Sequence, residues 1–125
     1  MTRILLVDDD LLFRLAIVMT LEKAGYQVVP AKDGAEALTI LAGDPSITLV
    51  LSDINMPGMD GTTFLSKAKE CYPSLPVIML SVNSAWSWKP QMHAAGAHGY
   101  LPKPFTTREL LHSVQSALGE QITDN

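Results

Sequence analysis

Five short apolar runs punctuate this chain, and the stretches between them carry apolar residues at helical spacing. The runs at about 3–8, Tyr26 to Ala31, 47–53, 76–81 and 99–102 read as strands. They are continuous rather than alternating, which marks strands buried on both faces. Between them, 11–24 reads as a helix ended by Gly25, and a second helix is bounded by a capping Asp33 and a terminating Gly43. A turn-rich stretch, Asn55-Met56-Pro57-Gly58-Met59-Asp60-Gly61, leads into a third helix at about 62–71. The last helix starts at Thr106, where Thr106 and Glu109 form a capping box ahead of Leu110-Leu111. Five βα units with short connections predict a parallel sheet with helices on both faces.

Four of the runs end on residues that can do chemistry. Ile4-Leu5-Leu6-Val7 ends in Asp8-Asp9, Leu49-Val50-Leu51-Ser52 in Asp53, Val77-Ile78-Met79-Leu80 in Ser81, and Tyr100-Leu101-Pro102 in Lys103. Ligands of an open α/β sheet bind beyond the carboxyl ends of the strands. If these runs are neighbours, three carboxylates, a hydroxyl and an ammonium converge on one spot. Asp8, Asp9 and Asp53 suit Mg²⁺, which takes oxygen ligands and is held by one or two carboxylates plus phosphate oxygens. An ionised aspartate is a competent nucleophile toward phosphorus. Lys103 offers a compact positive charge to phosphoryl oxygens, and Ser81 a hydrogen-bond donor. Asp10 reads as the cap of the first helix. A cis bond between Lys103 and Pro104 is inferred as a way to aim the lysine inward.

Composition removes several alternatives. The length of 125 residues fits one domain, here taken as 1–119, with 120–125 a polar tail or the start of a linker. The net charge of −4 argues against direct binding to nucleic acid or to an anionic membrane. A lone cysteine, Cys71, excludes an intrachain disulfide and suits a reducing compartment. The first residues run straight into three aspartates and read as neither signal peptide nor membrane span, so the expected location is cytoplasmic. No Walker A segment or G-x-G-x-x-G is present. His93, His98 and His112 lack metal-ligand spacing.

The segments ILLVDDD, DINMPGMDG, VIMLS and GYLPKPF, in this order and spacing, resemble the receiver domain of two-component response regulators. The resemblance covers the whole chain and implies a flavodoxin-like (βα)5 fold with strand order 2-1-3-4-5. By this resemblance Asp53 is the phosphoacceptor, charged by a histidine kinase or a histidine phosphotransfer domain. Asp9 and Asp53 are direct Mg²⁺ ligands, Asp8 acts mainly through water, and Asn55 contributes its backbone carbonyl. Ser81 stands at the hydroxyl position, Lys103 is the phosphate-binding lysine and Tyr100 the switch aromatic. Asp60 and Gly61 read as cap and turn.

The chain departs from the family pattern in three places. Val82 stands where a small residue is usual, and is expected to hinder attacking water or bulky donors if it borders the path to Asp53. Pro90 is tolerated only in a first helical turn, so the fourth helix should start near Lys89 or Pro90 and be short, leaving Trp86 and Trp88 in or beside the loop ahead of it. The tryptophans either fold back on the domain or serve a partner. The first helix has a core stripe of Phe13, Ala16, Ile17, Thr20, Leu21 and Ala24, and a second apolar stripe of Leu12, Leu15 and Met19. The second stripe is read as a docking surface for the phosphodonor's helical bundle, with self-association into a homodimer and ordinary surface exposure as alternatives.

The competing reading is an Mg²⁺-dependent phosphatase with an aspartyl nucleophile. Such enzymes carry a second aspartate two residues after the first, where this chain has Asn55, and they add a cap domain for which no residues are present. A binding-only domain is disfavoured because every key position is filled. The expectation is therefore a phosphoryl-accepting switch and not an enzyme, with the downstream partner left open.

Overall fold

The structure of the chain, a computed structural model, describes residues 2–56, 58–82 and 89–120, apart from the side chains at 82, 89 and 91. Its elements alternate throughout: β1 (Arg3–Val7), α1 (Leu11–Lys23), β2 (Gln27–Ala31), α2 (Gly34–Gly43), β3 (Ile47–Asp53), α3 (Gly61–Cys71), β4 (Val77–Val82), α4 (Lys89–Ala94), β5 (Gly99–Lys103) and α5 (Thr107–Leu118). All strand pairings are parallel, in the order β2-β1-β3-β4-β5, as the resemblance implied. The first strand stops at Val7, so Asp8 already belongs to the loop, and the second begins at Gln27 rather than Tyr26.

Alternation along the strands splits the core in two. Leu5, Val7, Val50, Val77 and Met79 pack with Ala37 and Leu41 of α2, Phe64 and Leu65 of α3, and Met92 of α4. Ile4, Leu6, Leu49, Leu51, Ile78 and Leu80 pack with Ile17 and Leu21 of α1 and with Leu110 and Val114 of α5. β1 and β3 are thus covered on both faces, which explains their unbroken apolar sequence. The prolines within strands, Pro30 and Pro102, fall on the edge strands β2 and β5, where a missing N–H costs no ladder bond on the open side.

Helix starts follow the sequence chemistry. Asp10 accepts from the backbone N–H of Leu12 and Phe13, Asp33 from that of Glu36, and Asp60 from that of Thr63. At α5, Thr106 and Glu109 form the expected capping box, and Gly119 closes the helix with φ of 71°. Pro90 lies in the first turn of α4, which is only six residues long. At Gly61 a side chain would meet the backbone, because a Cβ there would stand 2.6 Å from Ile54 Cα. Its N–H donates to the Ile54 carbonyl at 2.7 Å, tying the start of α3 to the end of β3.

One expectation about α1 fails in part. Phe13, Ile17 and Leu21 do face inward with Val18, but Ala16 and Ala24 are exposed. Leu12, Leu15 and Met19 stand out in solvent at 78%, 50% and 71% exposure, and Leu11 joins them. At the far edge of the sheet, Gln27 N–H donates to the Thr2 carbonyl at 2.9 Å and the Tyr26 hydroxyl to Glu120 at 2.7 Å. Burial, reinforced by that carboxylate, pushes the Tyr26 phenol up to about 12. Among the described residues no helix is long and apolar enough to cross a membrane. The tryptophans and the loop 83–88 lie outside the described residues, as does the side chain of Val82.

Candidate functional site

Parallel register brings the strand ends to one edge. Val7 pairs with Ser52, Asp53 with Leu80, and Val82 with Lys103, so each polar residue that follows or ends a strand emerges beside the next. Asp8, Asp9 and Asp53 each present a carboxylate oxygen within 4.8 Å of the other two. Oxygen ligands about 2.1 Å from a single octahedral cation stand roughly 3 to 4 Å apart. The triad therefore fits a hard divalent ion with small side-chain adjustment, and its all-oxygen donor set suits no soft metal.

The three acids differ sharply in setting. Asp8 has no exposed surface, and its charge is answered on both oxygens: Oδ1 accepts from the Asp10 N–H at 2.9 Å and Oδ2 from Lys103 Nζ at 3.2 Å. A buried carboxylate needs such pairing, since stripping water from an unpaired charge costs several kcal/mol or more. Asp9 is exposed. Asp53 is buried at the end of the central strand; its Oδ2 lies 3.4 Å from Lys103 Nζ, and its Oδ1 accepts a long 3.4 Å bond from the Asn55 N–H. Burial pushes the Asp53 carboxyl above its ordinary range; Lys103 pulls against this and the nearby Asp8 adds to it. Lys103 is thus the counter-charge of both buried acids. Its bond to Pro104 is cis, as expected.

Ser81 is buried at the end of β4, one step beyond the partner of Asp53. Asn55 is exposed in the loop after β3. Tyr100 lies three residues before Lys103 on β5, half-buried against the core that packs under α2, α3 and α4, and burial raises its phenol. Asp60 and Gly61 are cap and close-approach turn, as expected, and the Thr63 N–H holds the Asp60 carboxyl below the usual range.

Three residues make contacts at the site that the sequence did not reveal. Arg14 donates through Nη1 to the Asp8 backbone carbonyl at 2.6 Å. The Phe13 ring lies under Lys103 Nζ, 4.0 Å from its centroid, and Phe105 packs edge-on against Phe13. Helical spacing counted Phe13 as core, and the sequence holds no cue that its ring meets a cation. The position of Arg14, one turn into a helix that opens beside the acids, was the available signal.

Comparison with known proteins agrees with this architecture. The response regulator receiver domain family matches residues 4–115. The chain is 40% identical over 119 residues to the response regulator protein FleR of Pseudomonas aeruginosa, covering 94% of this chain and 25% of FleR. It is 37% identical over 123 residues to the response regulator MprA of Mycolicibacterium vanbaalenii, covering 98% of this chain and 53% of MprA. It therefore spans about a quarter to half the length of these curated relatives. The chemotaxis protein CheY4 of Vibrio cholerae superposes with a TM-score of 0.88 at 35% identity, over 94% of this chain and 99% of that one. Motif register, strand order and these matches together establish that the chain belongs to the receiver domains of two-component response regulators, which accept a phosphoryl group on an aspartate.

Proposed function

We propose that Asp53 is the phosphoacceptor of this receiver and that Mg²⁺ is its metal, held by Asp8, Asp9, Asp53 and the Asn55 backbone carbonyl. The observation that carries the reading is the position of Asp53 at the end of the central strand, between a second buried acid and Lys103, which pairs with both. In the reaction an Asp53 carboxylate oxygen forms a bond to phosphorus as the bond to the donor nitrogen of a phosphohistidine breaks. The electron pair leaves with that nitrogen, which takes up a proton, and Asp53 becomes an acyl phosphate. When bound, Mg²⁺ supplies charge that offsets repulsion between the acids and the incoming oxygens.

The chain's own groups do the rest. Lys103 turns its ammonium from Asp53 to a phosphoryl oxygen. Ser81 donates its hydroxyl to another, and Tyr100 moves inward as the serine shifts. The exposed stripe of Leu12, Leu15 and Met19 on α1 is read as the docking surface for a histidine kinase or histidine phosphotransfer domain, with homodimerisation as the competing use. Residues 1–119 form the receiver unit, which acts in the cytoplasm, does not itself bind nucleic acid directly, and passes its signal to a downstream partner that is left open.

The test is phosphoryl uptake from phosphoramidate with Mg²⁺, followed by intact-protein mass. One phosphoryl group on the wild type and none on Asp53→Asn is the expected result. Uptake by the variant would refute Asp53 as acceptor, and steady turnover of a generic phosphomonoester would point instead to a phosphatase.

A further inference from the structure

The ammonium of Lys103 touches three groups: Asp8 at 3.2 Å, Asp53 at 3.4 Å, and the face of Phe13 at 4.0 Å from the ring centroid. Two of these partners are engaged by the chemistry itself. On the reading of Asp53 as acceptor, on which this inference rests, Asp53 becomes an acyl phosphate and Asp8 turns to the metal. The ring alone is neither consumed nor neutralised.

We propose that Phe13 is a positioning residue for phosphoryl acceptance: its π face holds the Lys103 ammonium at the strand edge while the carboxylate contacts are exchanged for phosphoryl oxygens. A lysine head is a strongly hydrated point charge on a flexible four-carbon stem, and without a fixed platform it swings into water. An aromatic face attracts the charge through its quadrupole and brings no competing anion. The side chain of Lys103 is only 17% exposed, so the contact is largely shielded from solvent, where such attractions are strongest.

The platform is itself braced. Phe105 meets Phe13 in a T-shaped contact, with centroids 5.8 Å apart and planes at 80°, a favoured aromatic geometry. Phe105 lies two residues beyond Lys103, so the segment that delivers the charge also steadies the ring beneath it. From the other side, the Phe13 N–H donates to the carboxylate of Asp10 at 3.2 Å. That bond ties the backbone from which the ring projects to the same loop that carries Asp8 and Asp9.

The experiment uses Phe13→Leu, which keeps an apolar side chain but loses the π face, and Phe13→Tyr, which retains it. Phosphorylation by phosphoramidate with Mg²⁺ is followed over a range of donor concentrations. Phe13→Leu is expected to lower the limiting rate about three- to tenfold with little change in the half-saturating concentration, and Phe13→Tyr to recover most of it. In the unphosphorylated protein, the methylene protons of Lys103 next to its nitrogen should be shifted by the ring in wild type and Phe13→Tyr, and lose that shift in Phe13→Leu. Should Phe13→Leu fail to fold, Phe13→Met takes its place, since methionine fills irregular space without a ring. Equal limiting rates in wild type and the ringless variant overturn the inference, as does an equal loss in the Leu and Tyr variants. No uptake by wild type overturns the acceptor reading, and this inference with it.

Discussion

Asp53 carries an energetic tension that can be read without any phosphodonor. Burial lifts its carboxyl above the ordinary range, Lys103 opposing the shift and Asp8 adding to it. The native chain therefore binds this proton more tightly than the unfolded chain does. The resulting stabilisation is fully present below the unfolded carboxylate value of about 3.9 and is lost as pH rises through the higher native value. In metal-free protein, Asp53→Asn should melt roughly 3–5 °C above wild type at neutral pH, a shift of about 1 kcal/mol in a domain of this size. The gap should close as pH falls toward 4. Thermal melts across that range check it, and parallel profiles for the two proteins would remove Asp53 as the source. The residues of the site were legible because polar groups ending apolar runs are conspicuous. What the sequence withheld was pairing: Lys103 bridging two buried acids over an aromatic face depends on side-chain directions that spacing along the chain does not encode.

Among the described residues, the large apolar side chains left exposed lie on α1, whose surface exceeds the needs of the fold. Its inward face is satisfied by Phe13, Ile17 and Leu21, while Leu11, Leu12, Leu15 and Met19 remain outside. If that stripe docks the phosphodonor, Leu15→Asp should leave the melting temperature and phosphoramidate labelling near wild type while slowing transfer from the cognate phosphohistidine protein by about tenfold, the loss of roughly 1.4 kcal/mol of contact. Stopped-flow transfer rates check it, and an unchanged rate from the cognate donor would turn attention to self-association. This helix is also where sequence reading slipped. Apolar residues surround most of its circumference, so the phase of the buried stripe was ambiguous, and small Ala16 and Ala24 were counted inward although both are exposed. By contrast, α4 was legible, because Pro90 can stand only in a first turn and so sets where the helix begins.

For the molecule as a whole, the five parallel strands could be read from alternation of elements, whereas the order 2-1-3-4-5 came from the family resemblance. Local patterning has no means of saying which strands are neighbours. The assembled site makes the cation a stabiliser of the entire fold, since an unfolded chain does not hold Asp8, Asp9 and Asp53 within 4.8 Å of one another. Mg²⁺ at a hundredfold excess over its dissociation constant should add about 2.7 kcal/mol to the unfolding free energy. Asp9→Asn, a change at an exposed position, should abolish most of that gain while leaving metal-free stability nearly as it was. Denaturant titrations with and without Mg²⁺ measure both, and an equal gain in the variant would place the ion elsewhere.

The hydrogen bond from Tyr26 to Glu120 has a bearing on how the molecule is wired to anything beyond it. It fastens the end of α5 beside the first residues of β2, and Thr2 is tied to Gln27 next door. Both ends of the described chain are therefore moored on the rim of the sheet opposite Asp53. The two moorings stand a full strand length, about 15–20 Å, from the acceptor. Between those two moorings and the aspartate stand the packed faces of the sheet, so a change at Asp53 reaches them through the body of the domain.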